Sequence, residues 1–198
     1  MKFKPLPAGF VIPTQPVKGS EPPSGADWVH EIKHDGYRII VRRDGPTVRL
    51  YSRNGNNWTM RLAAVAAAAE QIKAKSFTTT ARRLWWGLTA CLGSRSLSRR
   101  ESARTAILYA FDLIELDGED LRRRPFLDRK AALAQLGGLK VGIVLNELVA
   151  EDGPTVSRTL AGLALRGSSP NGGRHYRSGP CHVWKVRNAS PGTEREVE

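Results

Sequence analysis

The sequence predicts an α+β domain made of antiparallel sheets with flanking helices. Three observations predict it. Short runs rich in β-branched and aromatic residues recur along the chain. Turn-forming stretches, "RDGP" and "DGED", separate or end them. Ala- and Leu-rich stretches with near-helical spacing lie between them.

Residues 1–26 are rich in Pro and Gly and read as an extended N-terminal lead-in. From Asp27 the pattern becomes β. "WVHEI" (28–32), "GYRIIVRR" (36–43) and "TVRLYS" (47–52) read as strands. "TMRLAAVAAAAEQIKAK" (59–75) places Leu62, Val65 and Ile72 on one helical face. "AILYAFDLIEL" (106–116) reads as a buried strand, and "RPFLDRKAALAQL" (124–136) as a helix opened by Pro125. "GIVLNEL" (142–148) reads as one more strand, and "GPTVSRTLAGLAL" (153–165) as a helix with Pro154 near its start. The organisation is one domain over 27–188 and a tail over 189–198, without internal repeat. Two stretches break the pattern. Thr78 to Arg100 has no steady period and sets Trp85 beside Trp86, and Arg166 to Gly179 is a Gly/Ser/Arg run.

The composition, 40% apolar and 25% charged, is that of a globular chain. Its 198 residues suffice for a core without staples. The net charge of +12 favours a polyanionic partner, nucleic acid first and an acidic membrane second, although a solvated basic surface fits it as well. Cys91 and Cys181 make neither a disulfide framework nor a metal spacing, which suits a reducing cytoplasm. Prolines and a glycine interrupt the basic start, so no signal sequence is predicted, and no run reaches membrane-spanning length.

"EIKHDGYR" (31–38) carries the chemistry. A free lysine has a pKa near 10.4, so Lys33 must shed a proton before it can attack phosphorus. Burial and adjacent cations such as Arg38 favour that loss. Asp35 and Gly36 suit a tight turn that presents Lys33 at a strand end and returns Arg38 to the same place. The planar guanidinium of Arg38 can hold a ribose or a phosphate. The same residues also fit a solvated strand–turn–strand surface.

The order of the later motifs separates these readings. "YSRNGNNWT" follows at 51–59, "YAFDLIELDGEDLRRRPFLDRK" at 109–130 and "YRSGPCHVWKVRN" at 176–188. From about Trp28 to Arg187 the chain resembles the adenylation domain of ATP-dependent DNA ligases, above all the bacterial end-joining type. The resemblance implies an ATP-grasp-like α+β fold around a nucleotide cleft. It also implies ATP and Mg²⁺ as cofactors. Nicked or broken double-stranded DNA and other end-joining proteins are the implied partners, in the bacterial cytoplasm at the nucleoid and with no membrane. It makes Lys33 the residue that becomes AMP-bound and places Arg38 by the nucleotide. Glu31 lies where the family reads adenine, and Arg53 near the sugar and phosphates. Phe111 lies in the motif where the family packs an aromatic ring on adenine, and Arg129 at its downstream arginine position. Lys185 and Arg187 fall near the motif whose cations hold the α-phosphate in that family. Taken without the resemblance, Phe111 fits ordinary core and Arg129 a charge on a helix surface. An RNA ligase or a capping guanylyltransferase also uses K-x-D-G-x-R, while "YSRNG" and "FDLIELDGEDLRRRP" point to the DNA ligase branch.

The irregular stretches fall where that family carries metal-binding glutamates, one in a D-G-E strand and one in an E-G-I-V-S-K-like motif. The metal ligands are therefore unassigned. A one-base change of reading frame restores such text. With permitted codons Thr79 to Leu97 can read "DGEAVVVGPDGLSRFEEL", and Leu163 to Gly173 can read "GLEGIVSKRR". The reading is of two compensated frameshifts over 78–100 and 158–175, and of an adenylation domain whose activity they impair. It includes a relic that binds nucleic acid without turnover. Trp184 and Lys185 are adjacent where the family keeps a residue between them, which predicts Lys185 on the wrong face of its strand. The family's following β-barrel of the OB type is not expected within this sequence, since too few residues follow Arg187 to build it.

Overall fold

The structure, a computed structural model, describes residues 5–18, 28–34, 36–84, 106–136, 142–149, 165–168, 176 and 178–186. Two sheets organise them. The first runs β1 (Thr14–Lys18), β11 (Gly179–Val186), β10 (Leu165–Ser168), β2 (Val29–Ile32) and β9 (Leu148–Val149). The second runs β4 (Thr47–Ser52), β3 (Tyr37–Asp44), β5 (Ser76–Leu84), β6 (Ile107–Leu116) and β7 (Glu119–Asp120), with β8 (Ile143–Leu145) joined to β6. Most pairings are antiparallel, as the sequence predicts. The exceptions among the described strands are β1 with β11 and β6 with β8.

The second sheet carries the core on one face. Ile39 and Val41 of β3, Leu50 of β4, Phe77 and Ala81 of β5, and Leu108 and Leu113 of β6 are fully buried there. The helix α1 (Ala63–Glu70) adds Val65, Ala66 and Ala69, and α2 (Phe126–Gln135) adds Leu133. α1 is shorter than the predicted 59–75. A 3₁₀ turn over Met60–Leu62 precedes it, and the Gln71 and Ile72 N–H groups bond three residues back, to Ala68 and Ala69. Those tight bonds end the helix, yet Leu62 and Ile72 still reach the core. α2 and its flanks link β6 to β8, the long crossover that a parallel pair requires.

Four expectations change. The lead-in is not a plain extension. Its residues 14–18 form an edge strand, and Phe10 packs edge-to-face on Tyr51 with ring centroids 5.9 Å apart. Residues 76–84, read as largely patternless, form the central strand β5 between β3 and β6. Both of its neighbours supply full ladders, and this pairing overrides the polar run of Thr78 to Thr80. "GIVLNEL" splits into β8 and β9, which belong to different sheets. The Gly/Ser/Arg run contributes Arg166–Ser168 to β10. The helix expected over 153–165 lies outside the described residues, except that Leu165 opens β10. Among the described residues no helix is long and apolar enough to cross a membrane.

Candidate active site

The two sheets meet where β2 ends and β3 begins. Lys33 follows β2 directly and is half-buried. It precedes Gly36, whose φ of +145° is open to glycine but disfavoured for other residues. Strand pairing sets three rows across the face of the second sheet opposite its core. These are Arg38–Arg82–Tyr109, Ile40–Thr80–Asp112 and Arg42–Thr78–Glu115. Register shifts in the β5–β6 ladder skip Phe111 and Ile114, a bulge at each. Such bulges re-aim side chains. Phe111 is buried, and the Arg38 guanidinium lies 5.3 Å from its ring centroid. Arg38 also donates to the carbonyl of Thr14, so β1 ties down the same arginine.

A chain of buried polar groups supports this surface. Glu31 is almost fully buried and forms an ion pair with Lys130 of α2 through Oε1. Lys130 also donates to the Phe111 carbonyl at 3.3 Å. Asn146, at the break between β8 and β9, donates through Nδ2 to Glu31 Oε1 and to the Ile32 carbonyl, both at 3.3 Å. Its Oδ1 meets His34 Nε2 at 2.9 Å. The His34 ring lies against Tyr109 with centroids 4.0 Å apart. Burial pushes the His34 ring below its ordinary pKa, the bond to Asn146 opposes that shift, and the nearby Arg82 adds to it. Beside Phe111, Asp112 is held by Arg129 through two bonds, at 2.8 and 3.1 Å. Tyr176 lies 6.0 Å from the Arg129 guanidinium on the other side, and burial raises its hydroxyl above the ordinary value.

The site residues read from sequence therefore fall into three groups. Glu31, Arg38, Phe111 and Arg129 are connected through Lys130, Asp112 and strand β6, and Lys33 lies in the turn between β2 and β3. Arg129 is buried, contrary to a helix-surface charge, because Asp112 demands its partner there. Arg53 stands exposed in the turn after β4, and no contact among the described residues joins it to that group. Lys185 lies in β11, opposite Lys18 and Arg166 in register, and Arg187 lies outside the described residues.

The described residues do not fit a carboxylate site for Mg²⁺. No three His, Cys, Asp or Glu gather among them. Asp112 and Glu31 are committed to Arg129 and Lys130. On β5 the positions on the face opposite the core are Thr78, Thr80 and Arg82, and Thr80 Oγ1 is buried without a hydrogen-bond partner.

Comparison with known families matches residues 17–81 to the ATP dependent DNA ligase domain. Curated relatives agree with it. The bifunctional non-homologous end joining protein LigD of Bacillus subtilis is 32% identical over 143 residues, covering 62% of this chain and 23% of the relative. A probable DNA ligase of Streptomyces griseus is 37% identical over 117 residues, covering 54% of this chain and 23% of the relative. The chain thus spans about a quarter of the length of these relatives. Among solved structures, the ligase domain of M. tuberculosis LigD superposes with a TM-score of 0.70 at 24% identity, over 89% of this chain and 58% of that one. A mycobacterial DNA ligase D complexed with ATP and MES gives 0.67 at 23% identity, over 89% and 60%. Both bear out the fold of the ligase domain, with its antiparallel sheets and flanking helices.

Sequence reasoning missed Lys130, Asn146 and His34. His34 is part of "EIKHDGYR" and could have been picked by adjacency to Lys33. Asn146, a polar residue within an otherwise apolar run, was the other available signal.

Proposed function

We propose that this chain is the nucleotide-charging part of an ATP-dependent DNA ligase. The Lys33 amine, once deprotonated, attacks the α-phosphorus of ATP. A P–N bond forms, the bond to the leaving oxygen breaks, and pyrophosphate departs. A DNA 5′-phosphate oxygen then takes the AMP and frees Lys33. Finally a 3′-hydroxyl attacks that phosphate, AMP leaves, and the strand is sealed. The substrate is nicked or broken duplex DNA in end joining, in the bacterial cytoplasm, and Mg²⁺ is supplied with ATP.

The observation that carries this reading is the arrangement at the sheet junction. Lys33 follows β2 directly, and Arg38, at the start of the next strand, sits over the Phe111 ring. An aromatic ring for a base and a guanidinium for a phosphate or sugar thus lie on the sheet that the Lys33 turn leads into. Positioning and charge neutralisation are the main contributions a protein makes to such transfers. The Glu31–Lys130–Asn146 network fixes the strand that leads into Lys33.

A second reading is favoured by β5. Arg82 pairs in register with Arg38 where the family carries a glutamate, so cations face cations. That arrangement supports a domain with slow or lost turnover. Charging with α-labelled ATP and Mg²⁺, followed by a denaturing gel, separates the two. Label that survives denaturation and disappears in Lys33→Ala supports the ligase reading. Absence of label from folded protein refutes turnover and leaves the relic.

A further inference from the structure

The turn after β4 builds an exposed aromatic and cationic surface that the charging chemistry does not use. Trp58 and Tyr37 lie with ring centroids 5.2 Å apart and their planes tilted by 59°. At that tilt the two rings are not stacked face to face. Tyr37 is 54% exposed, and it opens β3 four residues after Lys33. The Arg61 guanidinium lies 5.6 Å from the Trp58 ring. Met60 beside it is 89% exposed, and Arg53 is exposed in the same turn.

The support beneath Trp58 is rigid. Its N–H donates to the Leu50 carbonyl at 2.7 Å, and its carbonyl accepts from Arg61 and Leu62. Thr59 Oγ1 accepts from Leu50 N–H at 3.0 Å and donates to Asn57 Oδ1 at 2.7 Å. Gly55, at φ +76°, closes the turn with a bond to the Ser52 carbonyl. Part of Trp58 packs on the core. A large aromatic pair held this firmly near solvent, with arginines around it, is not explained by core packing.

We propose that Trp58 and Tyr37 form a stacking platform for an unpaired nucleobase of a DNA strand, with Arg61 and Arg53 on its phosphates. Every base has a π-face, so such a platform accepts any sequence, and guanidinium groups add cation–π attraction and phosphate pairing. The net charge of +12 complements a polyanion and disfavours a second copy of this chain as occupant. The place of Tyr37 beside the Lys33 turn puts the stacked base at the edge of the charging site. Stacking itself rests on this geometry, while the choice of DNA over RNA rests on the ligase reading.

The test is a fluorescence-anisotropy titration of labelled oligo(dT), a blunt DNA duplex and oligo(U), with Lys33 charging measured in parallel. Trp58→Leu is expected to weaken oligo(dT) binding about tenfold, the worth of one stacked base. It should leave duplex binding and charging within about twofold. Trp58→Phe retains a ring and should recover most of the affinity, which separates stacking from misfolding. Met60→Ala should change nothing. Equal losses for oligo(dT) and duplex in Trp58→Leu, or no recovery in Trp58→Phe, overturn the proposal. So does concentration-dependent self-association that Tyr37→Ala abolishes. Stacking that persists in a chain unable to charge leaves the platform standing and removes the ligase reading. Tighter binding of oligo(U) than of oligo(dT) overturns the choice of DNA.

Discussion

Arg129 holds Asp112 by two parallel bonds, Nε to Oδ1 at 2.8 Å and Nη2 to Oδ2 at 3.1 Å, with both side chains out of water. The pair joins α2 to the bulged part of β6 that also carries Phe111. Arg129 Nη1 spends a further bond on the Arg124 carbonyl at 2.6 Å, ahead of the same helix. This arginine ties α2 and the residue ahead of it to β6.

Removing one partner leaves a buried charge alone, which costs about 3–5 kcal/mol. Arg129→Met is therefore expected to lower unfolding free energy by that much in urea. The double variant Asp112→Leu with Arg129→Met should recover most of the loss, since an apolar pair of similar volume has no charge to strand. An Arg129→Met chain of unchanged midpoint, with an unchanged denaturant slope, contradicts this role.

Asn146 is the second prediction. Its amide joins Glu31, the Ile32 carbonyl and His34, and so connects the break between β8 and β9 to the strand that leads into Lys33. Asn146→Ala leaves these groups short of partners, at about 1–3 kcal/mol. As a positioning residue it should lower the single-turnover charging rate more than it raises the ATP concentration for half-saturation. Asn146→Asp keeps the size but brings a carboxylate against Glu31, and should be worse than Ala. A proportional loss of both parameters, or none, argues for a merely structural amide.

How much of this was legible beforehand depends on the range of the contacts. β2, β3, β4 and β6 were readable because they are short runs rich in β-branched and aromatic residues. β5 was not, because its burial is imposed by β3 and β6 on either side of a polar run. β1 was hidden by Pro16 within it and by a partner, β11, more than a hundred residues away. In the site, Glu31, Lys33, Arg38 and Phe111 could be named from local motifs. Lys130 and Asn146 could not, since they meet Glu31 across sequence separations of 99 and 115. No local pattern records such a meeting.

Acid should weaken the domain through His34. Burial holds its folded-state pKa below the ordinary 6.5, so the unfolded chain binds the proton more readily. The contribution of the neutral ring is thus fully present above pH 6.5, and it is lost as pH falls from there through the lowered value. Unfolding midpoints of the parent and of His34→Gln should converge as pH drops across that window. Asp120 is a separate, more acidic case. The Arg122 side chain lowers its carboxyl to about 2, so its contribution fades only below about pH 3.8. Parallel pH profiles for parent and His34→Gln between pH 5 and 7 would remove His34 from the account.

The last prediction concerns Arg82. The shifted frame writes a glutamate across codons 81 and 82, and the pleat decides which position it takes. Ala81 faces the core with Ile39, whereas Arg82 stands on the face opposite the core. Only at position 82 would a glutamate stand in the row with Arg38 and Tyr109. There it replaces a cation that lies near His34 and donates to the Gly36 carbonyl at 3.1 Å. Arg82→Glu should turn a repulsive row into an attractive one and give a cation such as Mg²⁺ an oxygen ligand. The expected result is at least a tenfold faster Lys33 charging, with the gain confined to reactions containing Mg²⁺. Sequencing the gene bears on the same point, since codons that cannot yield Asp-Gly-Glu in the shifted frame exclude the frameshift. An Arg82→Glu chain that folds, binds ATP and charges no faster at any Mg²⁺ concentration would show that this strand does not limit the chemistry.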